Sequence, residues 1–284
     1  MRETERADAR SIPIFIGTMG WGYADWCGPF YPPNTVGRDQ IRLYAQCFNS
    51  VEIDSTFYAP PKAQVVESWY RATPEHFLFC PKVPKQITHE LHLAPSSHDL
   101  IREFVATMKL LREKLGPILF QMPPDFRRSE LTNLEGTLPL LDDITSTQGV
   151  RFAIEFRHRS LEGEDVAALL RRHRVALAAV DYIILSPKIE ITADFLYVRL
   201  IGRHGAFSHH DKIQHDKSER IQKWVEAIKR AAEKVDKIFI FCNNDYEGFS
   251  PATCNRVRRL LGQEEAVFPV ERQQNLFPNA SRWT

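Results

Sequence analysis

The chain has 284 residues, 43% of them hydrophobic and 26% charged, with a formal net charge of +1. A chain of this size can bury about 75% of the surface its unfolded form exposes, so it needs no disulfide or metal staple to hold a core. The near-zero charge balance argues against a dedicated nucleic-acid-binding surface.

Residues 1–11 are charged and lack an apolar stretch. They read as a flexible tail rather than a signal peptide, ahead of one domain over 12–284. Eight short apolar runs follow, at 12–17, 50–54, 77–82, 118–121, 151–156, 176–181, 195–200 and 237–242. Each is rich in Ile, Val, Phe or Leu and ends in polar residues, as strands buried on both faces do. Helical spacing is predicted between them, over 39–48, 63–72, 99–115, 129–141 and 162–173. The apolar stripe Ile221, Trp224, Val225, Ile228, Ala232 and Val235 predicts a further helix, with Asp216 and Glu219 as its capping box. A last helix is expected from Pro251 to Gly262. Residues 182–193 are too short and too β-branched for a full helix, so strands six and seven are expected to be joined without one. Eight strand–helix units of roughly 30 residues each predict a (β/α)₈ TIM barrel, lacking that one helix.

Five cysteines, Cys27, Cys47, Cys80, Cys242 and Cys254, form no C-x-x-C pair. Reduced thiols in a cytoplasmic protein are the simpler reading. No apolar run approaches the ~20 residues of a membrane-spanning helix.

Nearly every strand run ends in a residue able to do chemistry. Glu52, Lys82, Gln121, Glu155 with Arg157 and His158, Asp181, Arg199, and Asn243 with Asn244 fall at or beside these ends. In a barrel the ends converge on one mouth, where active sites of this fold sit. Glu155 and Arg157 lie two apart on an extended strand and so face the same side. Each residue alone could be a satisfied ion pair, but the set would be costly to bury without purpose.

Further motifs run the length of the chain. They include Gly17-Thr18-Met19-Gly20-Trp21-Gly22-Tyr23, Trp26, Gly28-Pro29-Phe30-Tyr31-Pro32 and Val51-Glu52-Ile53-Asp54-Ser55-Thr56-Phe57-Tyr58. Ile87-Thr88-His89, Gln121-Met122-Pro123-Pro124, Glu155-Phe156-Arg157-His158 and Asn243-Asn244 follow in order. In these the chain resembles the YecE-like family (domain of unknown function 72). The resemblance implies a TIM barrel and a family without an established activity. Met19, Asp54 and Arg159 depart from the family pattern, and Asp54 adds a third acid to the mouth.

Three chemistries follow from these residues. The first is an enzyme acting on a small polar or anionic, sugar- or phosphate-like substrate. Glu52 and Glu155 would be its acid/base pair, with Asp181 a further acid and Lys82 tuning their pKa values or forming a Schiff base. Arg157, His158 and Arg199 would hold an anion, Gln121, Asn243 and Asn244 would orient the ligand, and Tyr58 and His89 would relay protons. The second is a divalent-metal-assisted hydrolase or isomerase, with Mg²⁺ or Mn²⁺ on Glu52, Glu155 and Asp181, although no cofactor is firmly expected. The third is a non-enzymatic ligand- or partner-binding barrel. Here the aromatic loop of Trp21, Tyr23, Trp26, Phe30 and Tyr31 would dock a partner, or else form a lid over the mouth. The histidines His204, His209, His210 and His215 read as a solvated loop, with ligand or metal contact as the alternative, and the basic runs at 171–174 and 256–259 read as outer helix faces.

Overall fold

A computed structural model describes residues 12–182 and 188–276. The predicted tail at 1–11 lies outside the described residues. Eight strand positions alternate with helices: β1 (Ile14–Thr18), β2 (Ser50–Ile53), β3 (Leu78–Pro81), β4 (Ile118–Gln121), β5 (Phe152–Glu155), β6 in two pieces (Ala176–Leu177 and Ala179–Asp181), β7 (Phe195–Leu200) and β8 (Lys237–Cys242). All the pairings are parallel. β1 lies beside β8, β8 beside β7, and β7 beside the second piece of β6, while the first piece of β6 continues to β5 and β4. Single bridges Met19–Glu52 and Lys82–Leu119 join β1 to β2 and β3 to β4. With β2 paired to β3, the ring closes into a TIM barrel.

The helices α1 (Gly37–Tyr44), α2 (Ala63–Ala72), α3 (His98–Met108), α4 (Leu131–Gln148), α5 (Glu164–Arg172), α6 (Ser218–Ala232), α7 (Asn244–Glu247), α8 (Ser250–Leu261) and α9 (Pro269–Leu276) complete the described elements. Three differ from the predicted helices for identifiable reasons. The helix expected over 99–115 ends at Met108 and goes on as a tighter turn, broken where Arg112 takes a φ of 54°. That break delivers the buried Lys114 ammonium to the carbonyls of Tyr70 and Thr73, at 2.6 and 2.7 Å, at the end of α2. The helix expected to stop at 141 runs through Pro139 to Gln148, because Leu140, Leu141 and Ile144 bury the continuing face. The capping box of α6 does not form. Asp216 instead accepts from the Ser218 amide two residues on, at 2.9 Å, as an Asx turn does. Residues 183–187 of the predicted helix-less connection lie outside the described residues, and 188–193 form no helix.

Side chains alternate along each strand between two apolar layers. The outer layer, under the helices, takes Val51, Ile53, Phe79, Phe120, Ile154, Val198 and Ile240. The interior takes Met19, Cys80, Leu119, Ala153, Ala176, Ala178, Tyr197, Phe239 and Phe241. Phe15 stacks on Phe239 with ring centroids 5.0 Å apart, so aromatic rings plug one side of the barrel and alanines line the other. Higher up, the same inward positions carry Glu52, Glu155 and Arg199.

β1 approaches β2 closely at Gly17, where a Cβ atom would fall 1.9 Å from the Ser50 carbonyl oxygen and 2.9 Å from the Tyr44 hydroxyl. Replacing Gly17 by Ala forces the two backbones apart. The substitution is expected to cost at least about 1–3 kcal/mol in urea unfolding. An unchanged midpoint would mean that the strands slide past one another freely.

Candidate active site

The C-terminal ends of the strands surround a cavity of about 560 Å³. Its lining includes Tyr23, Asp54, Phe57, Tyr58, Lys82, His89, Gln121, Arg157, Tyr182, Arg199, Asn243, Asn244 and Asp245. Beneath it lies a chain of ion pairs. Arg199 grips Glu52 with two nitrogens, Nε to Oε2 at 2.9 Å and Nη2 to Oε1 at 2.6 Å, while its Nη1 donates to Glu155 Oε2. Arg157 Nε donates to the other Glu155 oxygen, and the Tyr197 hydroxyl donates to Glu52 Oε2 at 2.8 Å. Glu52 and Glu155 are both 0% exposed, so neither presents a free oxygen to the cavity.

The surroundings treat the two carboxylates differently. Burial pushes Glu155 up, but Arg157 and Arg199 together outweigh it and hold the carboxyl below the usual 4.5. Burial also pushes Glu52 up, and there it prevails over Arg199, with Asp54 adding to the rise. Glu155 is therefore the firm anion, and Glu52 is the site where charge is costly.

Lys82 stands beside this chain. Its ammonium lies 3.7 Å from Asp54 Oδ1 and 4.0 Å from the centre of the Phe57 ring. Burial draws its pKa below the usual 10.5, Asp54 opposes the shift, and Arg199 adds to it. Asp54 Oδ1 is itself buried without a hydrogen-bond partner among the described residues. His89 sits in the turn after β3, edge-on to Phe57, with its Nδ1 2.8 Å from the Thr88 hydroxyl. Burial and then Lys82 lower it to about 4, which leaves the ring neutral near pH 7. Tyr58 is 75% exposed at the rim. Asn243 caps α7 by accepting from the Asp245 amide at 2.8 Å.

Several predicted site residues lie elsewhere. Asp181 alternates with the inward Ala178 and Val180 and so points out of the barrel. There it accepts from Arg220 Nε at 2.7 and 2.9 Å, the Trp224 indole at 2.9 Å and the Tyr246 hydroxyl at 2.6 Å. The trio Glu52, Glu155 and Asp181 thus does not form one ligand set, and a guanidinium occupies the space between the first two. Among the described residues no group of three or more His, Cys, Asp or Glu is placed to hold a metal ion. His158 accepts from the Ser160 amide at 3.1 Å and caps its own turn. The aromatic loop is not a lid. Trp26, Phe30 and Tyr31 are 0% exposed and pack with Tyr44, Phe48, Phe249 and Phe268, where their apolar area is better covered than at a wet mouth. Trp21 meets Trp69 edge-on at 5.5 Å and lines a separate surface groove with Arg38 and Arg42. Of that loop only Tyr23 faces the cavity.

The mouth also takes two histidines of the 204–215 loop, against its solvated reading, and Tyr182, which the sequence did not single out. His204 and His210 line the cavity, each 3.4 Å from Asp245, and Tyr182 lies under the Arg157 guanidinium at 4.1 Å. Tyr182 directly follows β6, which was the available signal. Of the basic runs, Arg259 lies on the outer face of α8 and Arg174 just past the end of α5, 2.6 Å from Glu265 and from Asp142 respectively, whereas Arg256 reaches the buried Glu247 and Arg258 lies over the Phe48 ring.

Substituting Arg199 by Leu leaves two buried carboxylates without their shared cation. A loss of about 3–5 kcal/mol is expected in urea unfolding at neutral pH. The loss should shrink on acidification, because Glu52 and Glu155 can then take protons in the folded variant. In the wild type the sign for Glu155 is the reverse. Its pKa is depressed by folding, so its contribution is present above pH 4.5 and lost as pH falls through the folded value. A deficit in the variant that grows with acid would contradict this reading of the network.

The family described as "Protein of unknown function DUF72" matches residues 15–277. The protein YecE of Escherichia coli (strain K12) is 32% identical over 160 residues, which are 56% of this chain and 54% of YecE. YunF of Bacillus subtilis (strain 168) is 33% identical over 154 residues, 52% of this chain and 51% of YunF. The chain thus aligns with about half the length of these curated relatives. Among solved structures, a DUF72 family protein from Thermotoga maritima MSB8 superposes with a TM-score of 0.74 at 24% identity, over 88% of this chain and 100% of its own. One from Enterococcus faecalis V583 gives 0.70 at 20% identity, over 88% and 96%. Among the described residues no helix is long and apolar enough to cross a membrane. The chain belongs to the DUF72 family.

Proposed function

We propose that the protein is an enzyme that moves protons on a small polar or anionic substrate held in the barrel mouth. The observation that carries this reading is the contrast between two layers. Glu52 and Glu155 are sealed and saturated by arginine, whereas Lys82 and Asp54 reach the cavity and lack a close hydrogen bond to each other. The sealed glutamates serve as positioning residues that fix Arg199 and Arg157. Lys82 and Asp54 form the proton-transfer pair that touches substrate. An amine drawn below its usual pKa with a carboxylate beside it supplies a proton donor and acceptor at one place, which is what general acid–base catalysis requires. The neutral His89 ring and the Asn243 amide border the same space and suit a polar ligand rather than a purely apolar one.

The test is a turnover screen over carboxylated and phosphorylated small molecules with the wild type and with Asp54→Asn. Asp54 is partly exposed and pairs only loosely, so the variant should fold with an unchanged urea midpoint. Turnover is expected to fall about 10²–10⁴-fold. The pH profile gives a second readout. If Lys82 acts as base, kcat/KM rises with pH as the amine loses its proton, with a midpoint below the usual 10.5. Asp54 holds that value up, so its removal should move the residual limb to lower pH. A limb that moves up, or turnover indifferent to Asp54, would remove the pair from the chemistry.

A further inference from the structure

We infer that the mouth takes a small oxo acid, with Lys82 capturing its carbonyl carbon as a Schiff base and Arg157 holding its acidic group. This deepens the proposed function and rests on it.

Four groups around the cavity have open valences. Lys82 Nζ has no hydrogen-bond acceptor among the described residues, and it stands 3.7 Å off Asp54 with the Phe57 ring 4.0 Å away. A lysine needed only as a counter-charge would gain by closing on the carboxylate, and this one is held back against an apolar face. Asp54 Oδ1 is buried and has no hydrogen-bond partner among the described residues, with the Lys82 amine 3.7 Å and Arg199 Nη2 4.0 Å from it. Arg157 spends its Nε on Glu155 and lays its plane over Tyr182, which leaves its two Nη groups without acceptors among the described residues. That edge is a fork for a carboxylate or phosphate. Asn244 is 3% exposed and its Oδ1 is fixed by the Ser250 amide and hydroxyl at 3.0 and 2.7 Å. Its Nδ2 has no acceptor among the described residues. All four residues line one cavity.

An oxo acid answers each of them. Its acidic group pairs with Arg157, a further oxygen accepts from Asn244, and its carbonyl carbon meets the amine. In the step, the Lys82 ammonium gives one proton to Asp54, and the neutral nitrogen attacks the carbonyl carbon. The C=O π pair moves to oxygen, which takes the second nitrogen proton to form the carbinolamine. Asp54 then returns its proton to the hydroxyl, water leaves, and the nitrogen lone pair closes the C=N⁺ bond. One water forms for each Schiff base, and Asp54 ends as it began, ionised. No oxidant or reductant is needed. Burial lowers the Lys82 pKa, which eases the loss of the proton before the attack.

The experiment traps the adduct. Wild-type protein near neutral pH is treated with sodium cyanoborohydride and either pyruvate, an oxo acid, or acetone, a neutral ketone, and is mapped by peptide mass spectrometry. The exposed Lys85 and Lys223 are internal standards. Pyruvate is expected to alkylate Lys82 at least about tenfold faster than either standard, because the Arg157 fork holds its acid group beside the amine. Acetone should show no such preference. Oxalate, which carries the acid groups without a ketone, should slow pyruvate capture at Lys82 and leave Lys85 unchanged. Labelling of Lys82 no faster than the standards overturns the capture. Equal labelling by pyruvate and acetone, with no protection by oxalate, overturns the oxo-acid assignment. If Lys82 is not trapped while Asp54→Asn still abolishes turnover, this inference falls and the proton-transfer reading survives. Turnover indifferent to Asp54 overturns that reading, and this one with it.

Discussion

A single guanidinium holds together the charged layer on which the mouth is built. Arg199 is 2% exposed and bonds to two carboxylates that are wholly buried. Ions taken from water at that depth persist only when close partners replace the lost hydration. Arg199 supplies both carboxylates at once from the centre of the barrel, and Arg157 completes Glu155 from the strand that carries it. The geometry follows from position. β7 is three strands from β2 around the ring, through β8 and β1, and two from β5, and a long planar side chain from its wall can span the interior to reach both. A lysine there could serve as a point charge but could not present parallel donors to Glu52 and a third to Glu155.

This layer also sets the electrostatics above it. Counted fully ionised, the inward acids Glu52, Asp54 and Glu155 balance the bases Lys82, Arg157 and Arg199. Balance in number is not balance in place. Arg199 lies with Glu52 and Glu155, so Lys82 is left with the more distant Asp54 and feels Arg199 as a like charge. The cost of charge is therefore passed upward, from a saturated floor to Lys82, the amine that lines the cavity. Burial of Tyr197 beneath Glu52 reinforces the effect, because its hydroxyl is committed to that carboxylate and no water can share it.

Most of the barrel could be read from sequence because strands buried on both faces are short, apolar and evenly spaced. Four of the eight runs carried enough additional pattern to place functional residues: Glu52, Lys82, Glu155 with Arg157, and Arg199 all fall on inward positions. The same two-residue alternation would have placed Asp181 correctly. Ala176, Ala178 and Val180 face inward, so Asp181 must face the helices, where Arg220 and Trp224 meet it. What alternation could not supply was depth. Glu52 and Glu155 were legible as inward acids, but their saturation by arginine depends on side chains from distant strands. The aromatic loop failed for a related reason. A run of Trp, Phe and Tyr after β1 marks apolar area to be buried, and whether the mouth or the gap beneath α1 and α8 receives it is decided by the space left between helices.

Asp54 gains weight from this comparison. It sits directly after β2, and its Oδ1 is the oxygen that faces the amine. Replacing it by Asn would leave Lys82 its burial and the like charge of Arg199 but remove the main charge that opposes them, so the amine would be less protonated. The acid at position 54 and the unclosed geometry of Lys82 are thus two sides of one feature: burial makes the charge on the amine costly, and a carboxylate stands 3.7 Å away without closing on it.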